Sequence, residues 1–381
     1  MLGANQGVYV EATDGSVLVA QAAEVPVHPA SISKVPTTLA LLRKFAPDYR
    51  FVTTFGATGP VRAGTIDGDL VVVGGGDPYF VDENALLVAQ KLNESGVHRV
   101  AGALRLHGNL VFDWQSEGAA ALLQSALSGQ KPTTVAWSNL QSLAPALRSP
   151  PILQFQGTLT GDPSADGGPI AVQPLLVHRS QPLLSLVKSL NDYSNNVIQA
   201  LADAAGGIAV VEATARESIP ESMRDEVTLA DGAGMDARNR LSPRAAVKLL
   251  RALEQQLATT GHTLVDVLPV AGVDAGTLHD RLNGPEVAGR VVGKTGTFGD
   301  YGASALIGAI QTSDRGTVYF AVLNHGLSVG EARRRQDRFL HALLSRLNTI
   351  PWRYQPDPRP AVALAEVSYV GGSAPEGSVT P

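Results

Sequence analysis

His28-Pro29-Ala30-Ser31-Ile32-Ser33-Lys34-Val35-Pro36 is the stretch from which the rest of the chain can be read. An extended His-Pro-Ala leads into a helix over Ser31–Phe45, with prolines bracketing its start, where a missing N–H costs nothing. Leu39, Leu41 and Leu42 give that helix an apolar face. Ser31 thus sits at a helix N-terminus, and Lys34 follows one turn on, within reach of the Ser31 oxygen. Two more strings follow in order: Ser194-Asn195-Asn196, a second hydroxyl beside an amide, and Lys294-Thr295-Gly296-Thr297, a cation on a hydroxyl-rich segment. The set describes an acyl-transfer site with no histidine in it.

Each string alone is weak, because Ser-x-x-Lys recurs at Ser128…Lys131 and Ser185…Lys188, and Ser-x-Asn recurs at Ser189-Leu190-Asn191. Gly129 and Pro132 make a rigid turn at the first copy improbable. Ser185 and Lys188 lie too close along the chain to Ser194 to face it across a cleft. Ser189–Asn191 falls inside a helical run. Only Ser31, Ser194 and Lys294 are far enough apart for three distinct elements to converge.

Working outward, Gly7–Ala12 and Ser16–Gln21 are β-rich runs joined by Asp14-Gly15, a hairpin signature. From about Phe51 the texture changes to strands (Phe51–Thr58, Asp69–Val73, Ala103–Val111, Ile152–Thr160), a Gly-rich turn and a helix over Glu83–Asn93. Gly74-Gly75-Gly76-Asp77-Pro78 matches neither a dinucleotide fingerprint nor a Walker loop. Leu183–Leu190 and Asn195–Ala205 have helical spacing, with Ser194 on the break between them. A helix over Arg244–Leu257, strands at Arg290–Lys294, Ala303–Ile310 and Val318–Asn324, and a helix over Gly330–Leu347 complete the globular part; Thr297–Tyr301 connects the first two strands. The resulting organisation is a discontinuous domain from 1–51 and 178–349, an inserted strand-rich domain over 52–177, and a Pro-rich tail over 350–381, in which Ala361–Val370 is apolar enough to dock as a strand.

Composition narrows the function. With 30 basic and 35 acidic residues the net charge is −5, so no polybasic surface invites nucleic acid. Cysteine is absent, which excludes disulfides, thiolate metal sites and a Cys nucleophile. The eight histidines form no ligand pair, and neither a metal nor another cofactor is expected. No run reaches the roughly 18–20 apolar residues of a membrane span, and the first residues lack the basic and apolar regions of an export signal.

Longer segments carry a resemblance. Pro29–Lys34, Gly68-Asp69-Leu70 through Pro78, Asp231-Gly232-Ala233-Gly234-Met235 with Asn239-Arg240-Leu241-Ser242-Pro243, Leu268–Gly272, and Gly289-Arg290 leading to Thr297 resemble the class C low-molecular-mass penicillin-binding proteins, D-alanyl-D-alanine carboxypeptidases/endopeptidases of the bacterial periplasm or cell surface. The triple motif is one already associated with penicillin-binding proteins and class A β-lactamases. The resemblance spans about residues 7–347. It implies an α+β fold: a transpeptidase/β-lactamase-like domain, an antiparallel sheet flanked by helices, interrupted by one inserted domain. The expected partners are peptidoglycan stem peptides and β-lactam antibiotics.

By that resemblance Ser31 is the nucleophile and Lys34 its base, kept neutral by burial and by the charge of Lys294. Ser194 relays the proton to the leaving amine, and Asn196 orients the substrate amide and helps hold Lys34. The backbone N–H groups of Ser31 and Thr297 receive the oxyanion. Lys294, with Thr295, Gly296 and Thr297, grips the terminal carboxylate. Ala237 stands where members of the family can carry a side-chain-binding arginine, which makes the adjacent Arg238 the candidate in its place. No Glu-x-x-Leu-Asn string, of the kind that activates the deacylating water in class A β-lactamases, occurs between Asn196 and Val292, so a penicilloyl adduct should persist. The competing readings are a β-lactamase or esterase on the same scaffold, and a non-catalytic β-lactam- or peptidoglycan-binding module.

Overall fold

The computed structural model describes residues 6–130, 134–143, 148–157, 171–299, 302–359 and 361–372. Its elements in chain order are β1 (Gln6–Ala12), β2 (Val17–Gln21), a 3-10 turn (Ala30–Ser33) running into α1 (Lys34–Lys44), β3 (Val52–Ala57), β4 (Val61–Arg62), β5 (Thr65–Ile66), β6 (Leu70–Gly75), α2 (Asp82–Glu94), β7 (Arg99–Val100), β8 (Leu104–Asn109), α3 (Ala119–Leu127), α4 (Thr134–Leu143), β9 (Gln154–Phe155) and β10 (Gln173–Arg179). There follow α5 (Leu183–Asp192), α6 (Ile198–Ala205), α7 (Ile208–Glu217), β11 (Val227–Thr228), β12 (Arg240–Leu241), α8 (Pro243–Ala258), β13 (Val291–Phe298), β14 (Ala303–Thr312), β15 (Gly316–Asn324), α9 (Val329–Leu344) and β16 (Glu366–Tyr369). The described residues divide into two compact units, one drawn from Met1–Asp48 and Leu183–Asp357, the other from Tyr49–Pro182 and Pro358–Pro381.

The first unit is built on an antiparallel sheet in the order β13-β14-β15-β1-β2. Side-chain alternation decides what covers each face. Val8, Val10 and Ala12 of β1 and Val318, Phe320 and Val322 of β15 pack with Leu306 and Ile310 of β14 against Leu340, Leu343 and Leu344 of α9. The intervening residues turn the other way, where Glu11 binds Lys248 and Arg251 of α8, and the Tyr319 hydroxyl donates to Glu254 of the same helix. Both faces are therefore covered, which is why β14 reads as a nearly unbroken apolar run.

Helix α1 is buried from Lys34 to Leu42 rather than on one face alone, packed among α6, α7 and α8. Its interior hydroxyls are satisfied locally: Thr37 donates to the Ser33 carbonyl at 3.2 Å and Thr38 to the Lys34 carbonyl at 2.8 Å. At the C-terminal end of this unit Ile350 N–H donates to Gln311 and Trp352 N–H to Gly289, each at 2.9 Å.

The second unit holds a sheet in the order β16-β10-β3-β6-β8, with β6 and β8 parallel, and a smaller sheet β4-β5-β7-β9. Phe55, Phe80 and Phe112 centre its core. Beside these strands stand α2, α3 and α4, of which the sequence reading anticipated only α2. The strand expected over Ile152–Thr160 is reduced to Gln154–Phe155, and residues 158–160 lie outside the described residues, as do Asp300 and Tyr301 of the expected 297–301 connection. Near the other end of the chain, β16 pairs with β10, Ser368 opposite Val177.

Candidate active site

Ser31 lies in the 3-10 turn immediately before α1, and the residue before it, Ala30, has a φ of +49°. A non-glycine residue held in that region costs about 1–3 kcal/mol, so its surroundings must enforce it. They do so from three sides. The Ala30 N–H donates to His28 Nδ1 at 3.1 Å. Gly234 of the loop before β12 comes so close that a Cβ there would lie 1.9 Å from the Ala30 carbonyl oxygen. Gly296 of β13 lets that strand pass beside the turn, since a Cβ there would sit 3.1 Å from Ser31 N.

With Nδ1 accepting, the proton of His28 is on Nε2, which donates to the Asp236 carbonyl at 3.0 Å. Burial holds the His28 pKa below its ordinary value, and its ring stacks on Phe298 with centroids 4.6 Å apart. Among eight scattered histidines no spacing singled this one out.

Lys34 is fully buried, with Nζ 2.8 Å from Ser31 Oγ, 3.0 Å from Asn196 Oδ1 and 2.6 Å from the Ala233 carbonyl oxygen. Burial pushes its pKa down from 10.5 to about 7, against the opposing charge of Asp231. The contact geometry then assigns the lone pair. The Asn196 and Ala233 oxygens only accept, so they take the two hydrogens of a neutral amine, and the remaining contact, the Ser31 hydroxyl, is the one that can donate to nitrogen. Ser194 is not among the partners of Lys34.

The loop that supplies Ala233 is organised by one carboxylate. Asp231 accepts from the backbone N–H groups of Ala233 (3.1 Å), Gly234 (2.5 Å), Met235 (2.8 Å) and Asp236 (2.5 Å) and from Asn239 Nδ2 (3.2 Å). The same loop thus presents one carbonyl to Lys34 and another to His28. Arg238, carried on it, grips Asp236 through Nε at 2.9 Å and a second nitrogen at 2.6 Å, with its side chain 77% exposed.

Ser194 occupies the bend between α5 and α6 with a φ of +56°, and Asn195 Oδ1 caps the start of the next turn by accepting from Val197 N–H at 3.0 Å. Asn196 directs its amide nitrogen to Met235 Sδ at 3.2 Å, which leaves its oxygen for Lys34. Thr277 ties this bend to β13: its N–H donates to the Asp192 carbonyl at 2.8 Å, and its hydroxyl receives that of Thr295 at 2.9 Å.

On β13, Lys294 and Gly296 share the face turned to Ser31, and Thr295 and Thr297 alternate with them. Lys294 is fully buried and donates to the Thr295 carbonyl at 2.9 Å. Its pKa is driven well down by burial and by the Lys34 charge, with Asp192 opposing. Burial is the main cause for both lysines, and each disfavours the other's charge. The Thr297 hydroxyl accepts from Arg333 of α9 at 3.2 Å.

The Ser185…Lys188 copy has a different use. Lys188 donates to the Leu268 carbonyl at 2.6 Å and to Asp274 at 2.5 Å, and lies 4.8 Å from the centre of the Tyr354 ring, whose hydroxyl also donates to Asp274. Lys131 of the Ser128…Lys131 copy lies outside the described residues. Among the described residues no cluster of His, Cys, Asp and Glu that could hold a metal is present, and no single helix is long and apolar enough to cross a membrane.

The model of the D-Ala-D-Ala carboxypeptidase 3 (S13) family matches residues 1–118 and 126–346, and the chain belongs to that family. It is 27% identical to Carboxypeptidase DacB of Mycolicibacterium smegmatis (strain ATCC 700084 / mc(2)155), over 85% of this chain and 77% of the relative. The Bd0816 predatory endopeptidase of Bdellovibrio bacteriovorus, solved in complex with immunity protein Bd3460, matches with a TM-score of 0.79 at 25% identity, over 95% of this chain and 98% of its own. The penicillin G-acylated Bd3459 predatory endopeptidase of the same organism, also in complex with Bd3460, shares the fold with a TM-score of 0.79 at 24% identity, over 94% and 97% of the two chains. The fold is accordingly α+β and transpeptidase/β-lactamase-like, and the chain is a D-Ala-D-Ala carboxypeptidase of the penicillin-binding type.

Proposed function

We propose that this enzyme cleaves peptidoglycan stem peptides through an acyl-enzyme on Ser31, as a D,D-carboxypeptidase/endopeptidase of the periplasm or cell surface, where that substrate resides. The observation that carries the reading is the 2.8 Å contact of Ser31 Oγ with a buried lysine whose other two partners can only accept. Lys34, whose pKa of about 7 leaves a large neutral fraction near pH 7, takes the Ser31 proton as oxygen attacks the penultimate D-Ala carbonyl. The backbone N–H groups of Ser31 and Thr297 bind the oxyanion, a donor pair whose loss costs about 10²–10³ in rate per donor. Collapse breaks the C–N bond, and the proton returns through Ser194 to the leaving amine. Water then releases the acyl group as the acid and restores Ser31. Asn196 holds both Lys34 and the substrate amide, while Lys294, Thr295, Gly296 and Thr297 line the place of the terminal carboxylate. Arg238, paired with Asp236, approaches the substrate only if that pair opens.

β-Lactams enter the same site and acylate Ser31. The test is incubation with a fluorescent penicillin, location of the adduct by mass spectrometry, and assay of D-Ala release from a diacylated Lys-D-Ala-D-Ala peptide. Modification at Ser31 together with D-Ala release is expected. An unmodified wild type, or an adduct that survives Ser31→Ala, would sink the assignment.

A further inference from the structure

Helix α9 carries four arginines near its start, and three of them spend their charge on Glu331: Arg334 at 2.9 Å, Arg335 at 2.7 Å and Arg338 at 4.0 Å. The neighbouring Arg281 is held by Asp337 at 2.6 Å. Among the described residues Arg333 is paired with no carboxylate. It points instead at β13, where its guanidinium donates to the Thr297 hydroxyl at 3.2 Å. That hydroxyl closes the Lys294–Thr297 string, so an arginine far along the chain converges on the candidate carboxylate subsite.

We propose that Arg333 is a carboxylate-binding residue of this enzyme, clamping the α-carboxylate of the leaving D-amino acid, and the carboxylate of a penicillin, while it stays anchored on Thr297. The inference rests on the acyl-enzyme reading above. Geometry favours Arg333 over Lys294 for direct contact, because Lys294 is enclosed and already committed to the Thr295 carbonyl, whereas Arg333 is exposed. Chemistry favours it too. A guanidinium keeps its proton at every working pH and presents parallel N–H donors that fit a carboxylate. Lys294 shares its surroundings with Lys34 and is pressed to give its proton up. Partial desolvation and the Arg281 charge work against the Arg333 cation, with Asp337 opposing from beyond ion-pair distance, so an arriving anion meets a cation with no carboxylate in direct contact.

The experiment compares second-order acylation rates, read by intact mass, for benzylpenicillin and its methyl ester on the wild type, Arg333→Gln, Arg333→Lys and Arg334→Gln. Arg333→Gln should acylate about 10- to 100-fold more slowly with the free acid and at an unchanged rate with the ester, the ester rate also reporting that the variant is folded. Arg333→Lys should fall between, and Arg334→Gln should match the wild type. A wild-type rate for Arg333→Gln with the free acid, or equal losses with acid and ester, overturns the clamp while leaving the acyl-enzyme reading intact. A wild type that takes up no penicillin at Ser31 overturns both.

Discussion

His28 Nδ1 accepts the N–H of Ala30, so an imidazole three residues before the nucleophile holds the strained residue on which the position of the Ser31 N–H depends. Protonation at Nδ1 abolishes that bond. Burial lowers the folded pKa of His28 below its unfolded value of 6.5, so the unfolded chain binds more protons between the two values. The stabilising contribution of this group is fully present above 6.5 and is lost as pH falls through the folded value. Melting curves of the wild type and His28→Ala should converge between about pH 7 and pH 5, and acylation by the wild type should fall over the same range. Parallel curves at all pH values would separate His28 from the turn.

Lys34 is stabilised in the form that chemistry needs and at the expense of the fold. Its folded pKa of about 7 lies below the unfolded 10.5, so the unfolded chain holds more protons between these values and stability rises with pH across them. Lys34→Met should therefore abolish acylation while raising the melting temperature at pH 7 by about 2–4 °C. The gap should close as pH approaches 10. Differential scanning calorimetry across that range tests the sign, and a Lys34→Met protein less stable than the wild type at pH 7 would contradict it.

Gly234 has a φ of +86° and leaves no room for a Cβ against the Ala30 carbonyl. Gly234→Ala should cost about 3 kcal/mol or more in urea denaturation, because backbone meets backbone and neither can yield without moving the nucleophile turn. Acylation should fall with it. A variant of wild-type stability and rate would show the close approach to be unimportant.

Release of the penicilloyl group should be slow, since the chain between Asn196 and Val292 lacks the Glu-x-x-Leu-Asn string that supplies a water-activating carboxylate. The adduct on Ser31 is expected to survive gel filtration and to be read at full occupancy by mass spectrometry. Rapid turnover of benzylpenicillin would favour the β-lactamase reading.

Local patterns carried much of this architecture into the sequence: the Asp14-Gly15 hairpin, the helix after Ser31, the break at Ser194 and the apolar strands β14 and β15 were all legible because each depends on near neighbours. What was not legible depends on chain folded back from a distance. The Nε2 bond of His28 reaches a carbonyl 208 residues away, and Arg333 meets Thr297 across 36. For Arg238, adjacency suggested a substrate contact but gave no sign of the carboxylate two residues earlier that holds the guanidinium. Ser185…Lys188 could be set aside from spacing, but its Asp274–Tyr354 partners could not be named.

The register of the central sheet sets a timetable. Gln6 lies opposite Asn324, so the first strand of the catalytic unit, paired early with β2 along one edge, has no partner along its other edge until more than three hundred further residues have been made. Pairings this remote are slow to form, because the intervening chain must be closed into a loop before any contact rewards it. The nucleophile turn leans on Gly234 and Gly296, which are also synthesised late. A nascent or truncated chain therefore carries Ser31 and Lys34 without the walls that activate them, and reactivity is reserved for finished molecules.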